Sequence, residues 1–350
     1  MLTAQKFWKN RSVLITGHTG FKGGWLSAVL NFLGAELHGF SLHADGDLNF
    51  YNTTNLRENF KTEVFDDIRD PKAIHEALCE SGAEVVFHLA AQPLVNKSYS
   101  DPVETFSTNL MGTVNLLDAV RRCPSIKSVV NITTDKCYEN QEWEWPYRET
   151  DKLGGDDPYS SSKACAELAT KCYRKSFMEN SSVFLASARA GNVVGGGDWA
   201  VDRIIPDLLR AYDHSDVLSI RSPDAIRPWQ HVLEPIYGYI LLAENLLNVG
   251  NRYARSWNFG PESTGHANVL NVVEYVSGLL RFSNYTVSPR GNETKTLRID
   301  SSLARNHLNW KPKWNLEETL TKVVEWHMEW KSGGDMGQFS LSQIRSYISS

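Results

Sequence analysis

The first part of the chain alternates short apolar runs with longer stretches of helical periodicity. Residues 13–16 form a short apolar and β-branched run, which predicts a buried strand. The run stops at Gly17, and apolar residues then recur at helical spacing from about Gly23 until Gly34. A strand, a glycine-containing turn and a helix in this order are typical of the opening of a nucleotide-binding βαβ unit.

The same alternation continues to about residue 190. Asp70 followed by Pro71 indicates a helix N-cap with proline in the first turn. Strands are predicted at residues 37–42, 64–68, 84–89, 128–133 and 183–188, and helices at residues 71–81, 102–122 and 158–177. This pattern predicts an α/β fold with a Rossmann-type, doubly wound parallel sheet.

Beyond Gly191 the rhythm changes to loops rich in glycine, proline and arginine, with helices predicted near residues 202–212, 235–247, 269–280 and 316–330. We expect a dinucleotide-binding Rossmann domain over residues 1–190, completed by about 228–258. A smaller C-terminal substrate-binding lobe is expected over residues 191–227 and 259–350. The polar tail after Ser332 is expected to be loosely held.

Composition and charge exclude several classes of protein. The 350 residues carry a formal net charge of −5 with a pI near 6.1, which argues against nucleic-acid or anionic-membrane partners. No apolar run reaches membrane-spanning length, and residues 1–11 are too polar for a signal peptide. The five cysteines are Cys79, Cys123, Cys137, Cys165 and Cys172. Their spacing fits neither a disulfide framework nor a zinc site, and the ten histidines show no ligand spacing, so we expect reduced thiols, no metal and a cytoplasmic location.

Three glycines in the first turn are spaced for a dinucleotide. One of Gly17, Gly20 and Gly23 permits a tight turn, one lets a pyrophosphate approach the backbone, and one lets the helix lie close to the strand. The N–H groups at the start of the helix would then face the phosphates. The alternative is a glycine-rich turn without a ligand. At the end of the second predicted strand Ser41 or His43 stands where an acidic residue would select NAD, so the sequence leaves NAD or NADP open.

Tyr159 and Lys163 are four residues apart on a predicted helix and so share one face. An ammonium beside a phenol favours the phenolate, which suits Tyr159 to general-base work. The alternative is a surface pair on a helix. The predicted strand at residues 128–133 runs out into Thr134, Asp135 and Lys136, and ligands bind at the carboxyl ends of such strands.

These motifs together resemble the extended short-chain dehydrogenase/reductase family, which comprises NAD-dependent epimerases and dehydratases of nucleotide sugars. The resemblance rests on the three glycines, the Tyr-x-x-x-Lys spacing and the hydroxyl residue after the strand. Residues 17–23, 134–140, 188–199 and 226–232 are similar, more narrowly, to 4,6-dehydratases that act on CDP-glucose. The similarity extends over about residues 7–330 and is weaker over residues 45–59.

The resemblance implies a lyase that uses NAD to convert CDP-glucose to CDP-4-keto-6-deoxyglucose and water by internal hydride transfer. Tyr159 would accept the C4 hydroxyl proton, Lys163 would tune it and Thr134 would hold the oxygen. Related dTDP-glucose dehydratases carry an Asp-Glu pair where this chain has Asp135-Lys136. Asp135 would be the acid and Lys136 the C5 base, although the roles could be exchanged, and a surface ion pair is the alternative.

The resemblance also implies binding residues. Those for NAD are Gly17, Thr19, Gly20, Phe21, Lys22, Gly23, Asp67, Ile68, Leu89, Ala90 and Ala91, together with Tyr159 and Lys163. Those for the nucleotide sugar are Gln92, Asn192, Arg203, Arg227 and His231. Arg227 would grip the pyrophosphate, with a structural arginine stacked on Trp229 as the alternative, whereas a structural role for His231 is equally supported.

Helices 102–122 and 158–177 resemble those through which the family dimerises, which implies a homodimer or homotetramer. Trp143 and Trp145 are expected to pack in the core or between lobes rather than to stack on the base. A nucleotide-sugar 4-epimerase is the nearest rival function, but epimerisation needs no acid–base pair for loss of water from C6. A non-catalytic dinucleotide sensor is a further rival, but a sensor needs no phenolate base.

Overall fold

The computed structural model describes residues 2–262, 265–288 and 295–350. Its strands are β1 Ser12–Thr16, β2 Glu36–Ser41, β3 Phe60–Phe65, β4 Val85–His88, β5 Ser128–Ile132, β6 Phe184–Ala190, β7 Asn192–Val194, β8 Leu218–Ile220, β9 Ile226–His231, β10 Ser256–Phe259, β11 His266–Asn268 and β12 Tyr285–Val287. Its α-helices are α1 Leu2–Trp8, α2 Phe21–Phe32, α3 Phe50–Thr53, α4 Pro71–Ser81, α5 Val95–Ser100, α6 Pro102–Phe106, α7 Gly112–Val120, α8 Pro158–Tyr173, α9 Ile204–His214, α10 Leu233–Val249, α11 Val269–Leu280, α12 Ser302–His307, α13 Leu316–Lys331 and α14 Met336–Ser349.

Seven parallel strands form the main sheet in the order β10-β6-β5-β4-β1-β2-β3. The expected doubly wound sheet is therefore confirmed. Side chains along β1 alternate between the two faces, since Val13 and Ile15 join one apolar core and Leu14 joins the other. The strand order reverses between β1 and β4, and in such sheets ligands bind at the carboxyl ends beside this point.

Outside the main sheet, the chain after β6 forms a second group of elements, which we call the smaller lobe. It contains a three-stranded sheet, β11-β9-β7, and a two-stranded sheet, β12-β8. Leu208, Val273 and Val323 from α9, α11 and α13 share its apolar core. The chain then returns to the main sheet, because β10 pairs with β6 and places Ser256 opposite Ser187.

Two sequence-based expectations about elements are wrong. The tail after Ser332 is not loose: it forms α14, which buries Met336, Ile344 and Tyr347 at helical spacing. The third strand covers Phe60–Phe65 rather than residues 64–68, because Asp66 and the residues after it turn towards α4. Among the described residues, no helix is long and apolar enough to cross a membrane.

The cysteine and tryptophan expectations also need correction. Cys79 and Cys123 form a disulfide, with Cα atoms 5.6 Å apart. A separation of 44 residues gives no local signal for this pair, and the packing of α4 against α7 brings the two residues together. Trp145 is 73% exposed rather than packed, and the partly exposed Trp143 stacks on Tyr147.

Candidate active site

The turn between β1 and α2 has the geometry that its glycines predict. Gly17 has φ of +72°, and a Cβ there would lie 2.7 Å from the backbone nitrogen of Ala90. A Cβ at Gly23 would clash with the carbonyl oxygen of Gly17. Gly17 thus makes the tight turn, and Gly23 lets α2 lie against the turn that follows β1.

The start of α2 is suited to phosphate. Gly20 is its N-cap, and no side chain among the described residues caps it, so the first N–H groups of the helix are left for a ligand. Thr19 fixes the turn by bonding the Ser41 hydroxyl at 2.8 Å and the Leu42 carbonyl at 3.0 Å. A dinucleotide pyrophosphate fits this glycine-lined turn.

Asp67 and Ile68 follow β3, whereas Leu89 and Ala90 follow β4 and lie beside Gly17. Asp67 accepts hydrogen bonds from the backbone and side chain of Arg69, which lower the pKa of its carboxyl. Ile68 is buried, and Leu89 and Ala90 both donate backbone hydrogen bonds to the Thr16 hydroxyl. Their contact with the cofactor stays a prediction.

Thr134 organises the group of polar side chains after β5. It caps the 3₁₀ turn Asp135–Cys137, accepting the Lys136 N–H at 3.3 Å. Its hydroxyl donates to Asp135 Oδ1 at 3.1 Å and also hydrogen-bonds the Tyr159 side chain. Thr134, Asp135 and Tyr159 therefore form one connected cluster, built from the end of β5 and the first turn of α8.

Tyr159 is buried, and burial raises the pKa of its phenol to about 12. The leading opposing contributions to that pKa come from the Thr134 hydrogen bond and the Arg203 charge, rather than from Lys163 as the sequence suggested. Burial lowers the pKa of the Lys163 ammonium to about 8, against the charge of Glu167. Lys163 can therefore gain or lose a proton near neutral pH.

Asp135 is only 2% exposed, and burial raises the pKa of its carboxyl. The charges of Lys136, Arg227 and Lys22 act in the opposite direction. Its Oδ2 has no hydrogen-bond partner among the described residues. Because Asp135 is buried and Lys136 half-buried, these residues are not a surface ion pair. Asp135 is therefore a candidate proton donor towards a bound ligand.

A second pair of charges faces the same cluster. Arg203, which immediately precedes α9, donates to Asp198 Oδ2 at 2.9 Å, and Asp198 raises the pKa of the Arg203 guanidinium. Lys22 in the first turn of α2 has its pKa lowered to about 8, by burial first and then by the charge of Arg203. The charges of Asp135 and Lys163 also act on Lys22, so this lysine links the glycine turn to the cluster around Tyr159.

Asn192 and Arg227 lie on adjacent strands of the small sheet. Asn192 on β7 stands opposite Trp229 on β9, two residues after Arg227. Arg227 is buried and donates to the Ile226 carbonyl at 2.9 Å. A Cβ added to Gly191 would lie 3.1 Å from Asp135 Oδ2, so β7 begins beside that carboxyl.

Two expected substrate contacts have other neighbours. His231 is fully buried, with its ring edge-on to Trp314 at 4.8 Å and to Trp25 at 5.9 Å, and burial lowers its pKa to about 3. The Gln92 amide donates to the Leu94 carbonyl in its own loop and to the Thr105 hydroxyl on α6. This environment favours the structural alternative for His231 and a loop-bracing role for Gln92.

Sequence reasoning missed a buried ion pair behind Lys163. Glu167, one turn further along α8, accepts hydrogen bonds from Thr133 at 2.5 Å, Ser187 at 2.8 Å and Arg189 at 2.7 Å. These bonds and the Arg189 charge lower the pKa of Glu167 despite its burial. The i, i+4, i+8 spacing of Tyr159, Lys163 and Glu167 on one helix face is the signal that was available.

The chain is similar to several known proteins. It is 45% identical to a CDP-glucose 4,6-dehydratase of Salmonella typhimurium over 99% of this chain and 98% of that protein. It is 23% identical to a dTDP-glucose 4,6-dehydratase of Xanthomonas campestris, over 96% of this chain and 99% of the relative. The crystal structure of dTDP-glucose 4,6-dehydratase from Bacillus anthracis, in complex with NAD, has a TM-score of 0.76 and 22% identity, covering 93% of this chain and 98% of its own.

A family model described as GDP-mannose 4,6 dehydratase matches residues 14–323, from within β1 to the middle of α13. The matched segment holds the glycine turn and the cluster around Thr134. The protein therefore belongs to the GDP-mannose 4,6 dehydratase family.

Proposed function

We propose that this protein is an NAD-dependent CDP-glucose 4,6-dehydratase, which converts CDP-glucose to CDP-4-keto-6-deoxyglucose and water. The observation that carries the proposal is the buried Asp135 carboxyl, hydrogen-bonded to Thr134 beside the Tyr159 phenol. A proton donor next to a C4 oxidation site is what loss of water requires and simple epimerisation does not. The 45% identity to a CDP-glucose 4,6-dehydratase supports the nucleotide.

The residues of the turn fit NAD, with Gly17, Gly20 and Gly23 leaving backbone free at the pyrophosphate and Lys22 adding positive charge. NAD, when bound, supplies the hydride acceptor for C4 and the hydride donor for C6. Tyr159 accepts the C4 hydroxyl proton while Thr134 holds the oxygen. Since the Tyr159 phenol has a raised pKa, the Thr134 hydrogen bond and the Arg203 charge assist its ionisation.

Elimination then needs one base and one acid. The 4-ketone acidifies the C5 hydrogen, which Lys136 removes as a proton, and Asp135 protonates the C6 hydroxyl as it leaves. One C–H and one C–O bond are broken, one C=C bond forms, and one water is released. Burial raises the pKa of the Asp135 carboxyl, which favours the protonated form that this step requires.

The test is to incubate the protein and NAD with CDP-glucose, and separately with UDP-, dTDP- and GDP-glucose. We expect CDP-glucose to be converted fastest, giving a product lighter by one water with a ketone at C4. Asp135→Asn should still exchange the C5 hydrogen with deuterated solvent but should not release water. Glu325→Gln, an exposed carboxyl on α13, is the control and should keep full activity. Formation of CDP-galactose would refute the proposal in favour of an epimerase.

We also propose that the protein is a homodimer formed through α6, α8 and the turns that follow them. This surface exposes apolar side chains: Val103 is 78% exposed, Leu168 53% and Met111 47%. Contiguous exposed apolar groups of this kind mark interfaces. Light scattering of the wild type should give the mass of a dimer, and Leu168→Asp should give a monomer. A monomeric wild type would contradict this.

A further inference from the structure

A histidine and two cysteines meet on the face of the main sheet that α4 and α7 cover. We call His75, Cys79 and Cys123 the His–Cys cluster. His75 and Cys79 are one turn apart on α4, and Cys123 follows α7 shortly before β5. The ligand atoms of all three residues lie within 4.8 Å of one another. Cys79 is exposed, His75 half-buried and Cys123 buried, so the cluster opens to solvent on one side.

The positions of these atoms match a tetrahedral metal site. A tetrahedral Zn²⁺ with bonds of about 2.3 Å to sulfur and about 2.0 Å to nitrogen separates its nitrogen and sulfur ligands by about 3.6 Å. His75 Nδ1 lies 3.7 Å from Cys123 Sγ, and both His75 ring nitrogens lie 3.9 Å from Cys79 Sγ. Both nitrogen–sulfur distances are therefore already close to those of a metal site while the two sulfurs form a disulfide. Reduction of the disulfide lets the two sulfurs move apart to the separation of about 3.8 Å that a tetrahedral site needs.

We propose that the reduced protein binds one thiophilic divalent cation of the Zn²⁺ class through His75, Cys79 and Cys123. Two thiolates and one neutral imidazole suit such a cation, and solvent entering beside the exposed Cys79 completes the tetrahedron. The disulfide and the metal site exclude each other, because both use the same two sulfurs. Reduction by a dithiol or a phosphine adds two electrons and two protons to the disulfide, and the cation then displaces the two thiol protons.

The cluster is remote from the candidate active site. In a parallel sheet the candidate site occupies the carboxyl edge, whereas Cys79 and Cys123 lie in segments that lead into the amino ends of β4 and β5. α4 and α7 already share an apolar core that includes Ile74 and Leu117. A cation bound here would tie the end of α7 to α4 and so stabilise the fold, without taking part in catalysis.

The test uses the full chain, reduced with a phosphine, desalted without oxygen and titrated with Co²⁺ and then Zn²⁺. We expect one equivalent of Co²⁺ with a thiolate-to-cobalt charge-transfer band and the visible bands of tetrahedral cobalt, all removed by one equivalent of Zn²⁺. Cys79→Ser and His75→Gln should both lose stoichiometric metal binding. In both variants the thiolate-to-cobalt band should be weaker than in the wild type. Cys172→Ser, an exposed free cysteine elsewhere, is the matched control and should bind as the wild type does.

A second measurement is independent of any variant. In the reduced wild type, Zn²⁺ should slow alkylation of Cys79 at least about tenfold, as followed by peptide mass spectrometry, while Cys172 in the same sample should react at an unchanged rate. The unreduced protein should bind no stoichiometric Zn²⁺. Three results would each overturn the proposal: no stoichiometric metal in the reduced wild type, undiminished binding by Cys79→Ser, or equal binding before and after reduction.

Discussion

Glu234 on α10 links the C-terminal helix to the core and should make stability depend on pH. Its side chain is fully buried, accepts the Tyr347 hydroxyl at 2.6 Å and receives the backbone N–H groups of Lys313 and Trp314 at 3.0 and 2.9 Å. Burial outweighs these bonds and raises the pKa of the carboxyl from 4.5 to about 7. The folded protein therefore holds a proton here that the unfolded chain releases.

The sign and size of the effect follow from linkage. Because the folded-state pKa is raised, the stabilisation is fully present below pH 4.5, declines as the pH rises, and is lost above about pH 7. A difference of roughly 2.5 pKa units corresponds to about 3 kcal/mol in the free energy of unfolding, of which about 2 to 3 kcal/mol falls between pH 5 and pH 8.

Glu234→Gln keeps the side chain's shape and removes its titration. We expect the free energy of unfolding of this variant, relative to wild type, to rise by about 2 to 3 kcal/mol between pH 5 and pH 8. Urea denaturation at several pH values, followed by tryptophan fluorescence, measures this difference. Glu317→Gln, at the exposed start of α13, is the control and should track the wild type. If the free energy of unfolding of Glu234→Gln has the same pH dependence as that of the wild type, the proton is not on Glu234.

Three further predictions concern the candidate active site. Gly20→Val should abolish NAD binding, measured by calorimetry, while leaving the melting temperature unchanged. The control is Gly278→Val in α11, whose Cβ would meet open space and which should keep NAD affinity. Normal NAD affinity of Gly20→Val would show that this turn is not the site. Tyr159→Phe should give neither the 4-keto product nor deuterium exchange at C5, because C5 becomes acidic only after C4 is oxidised, and exchange in this variant would remove Tyr159 from the oxidation step. Lys136→Ala should retain C4 oxidation, seen as the cofactor's absorbance change, and its rate of deuterium exchange at C5 should fall by about 10²–10⁴-fold. An unchanged exchange rate would show that another group is the base.

The parts of the fold that local sequence signals predict are those where neighbouring residues decide the structure. Asp70 caps α4 through its side chain and Pro71 occupies the first turn, as the sequence indicates, and Gly82 ends the helix with φ of +58°. Gly17 takes the positive φ that its turn requires. In each case the interacting groups lie within a few residues of one another, so one sequence suffices to identify them.

The environment of the candidate site was harder to predict because its partners are distant in the chain. Glu167 is fixed by Arg189, 22 residues later, and the Tyr159 phenol faces Arg203 from the other lobe. His231 is buried against Trp25 and Trp314, one earlier and one later in the sequence, and each is more than 80 residues away from it. Sequence patterns identify such residues as polar or aromatic but do not reveal which of them meet.

The chain's repeated passage between the two sheets has a consequence for engineering. After β6 in the main sheet it enters the small sheet through β7 and β9, returns for β10, and leaves again for β11. The smaller lobe is therefore not one continuous segment that could be grafted from one relative to another. Specificity transplanted from a relative would require at least two segments to be exchanged together, with the intervening α10 and β10 kept from the recipient.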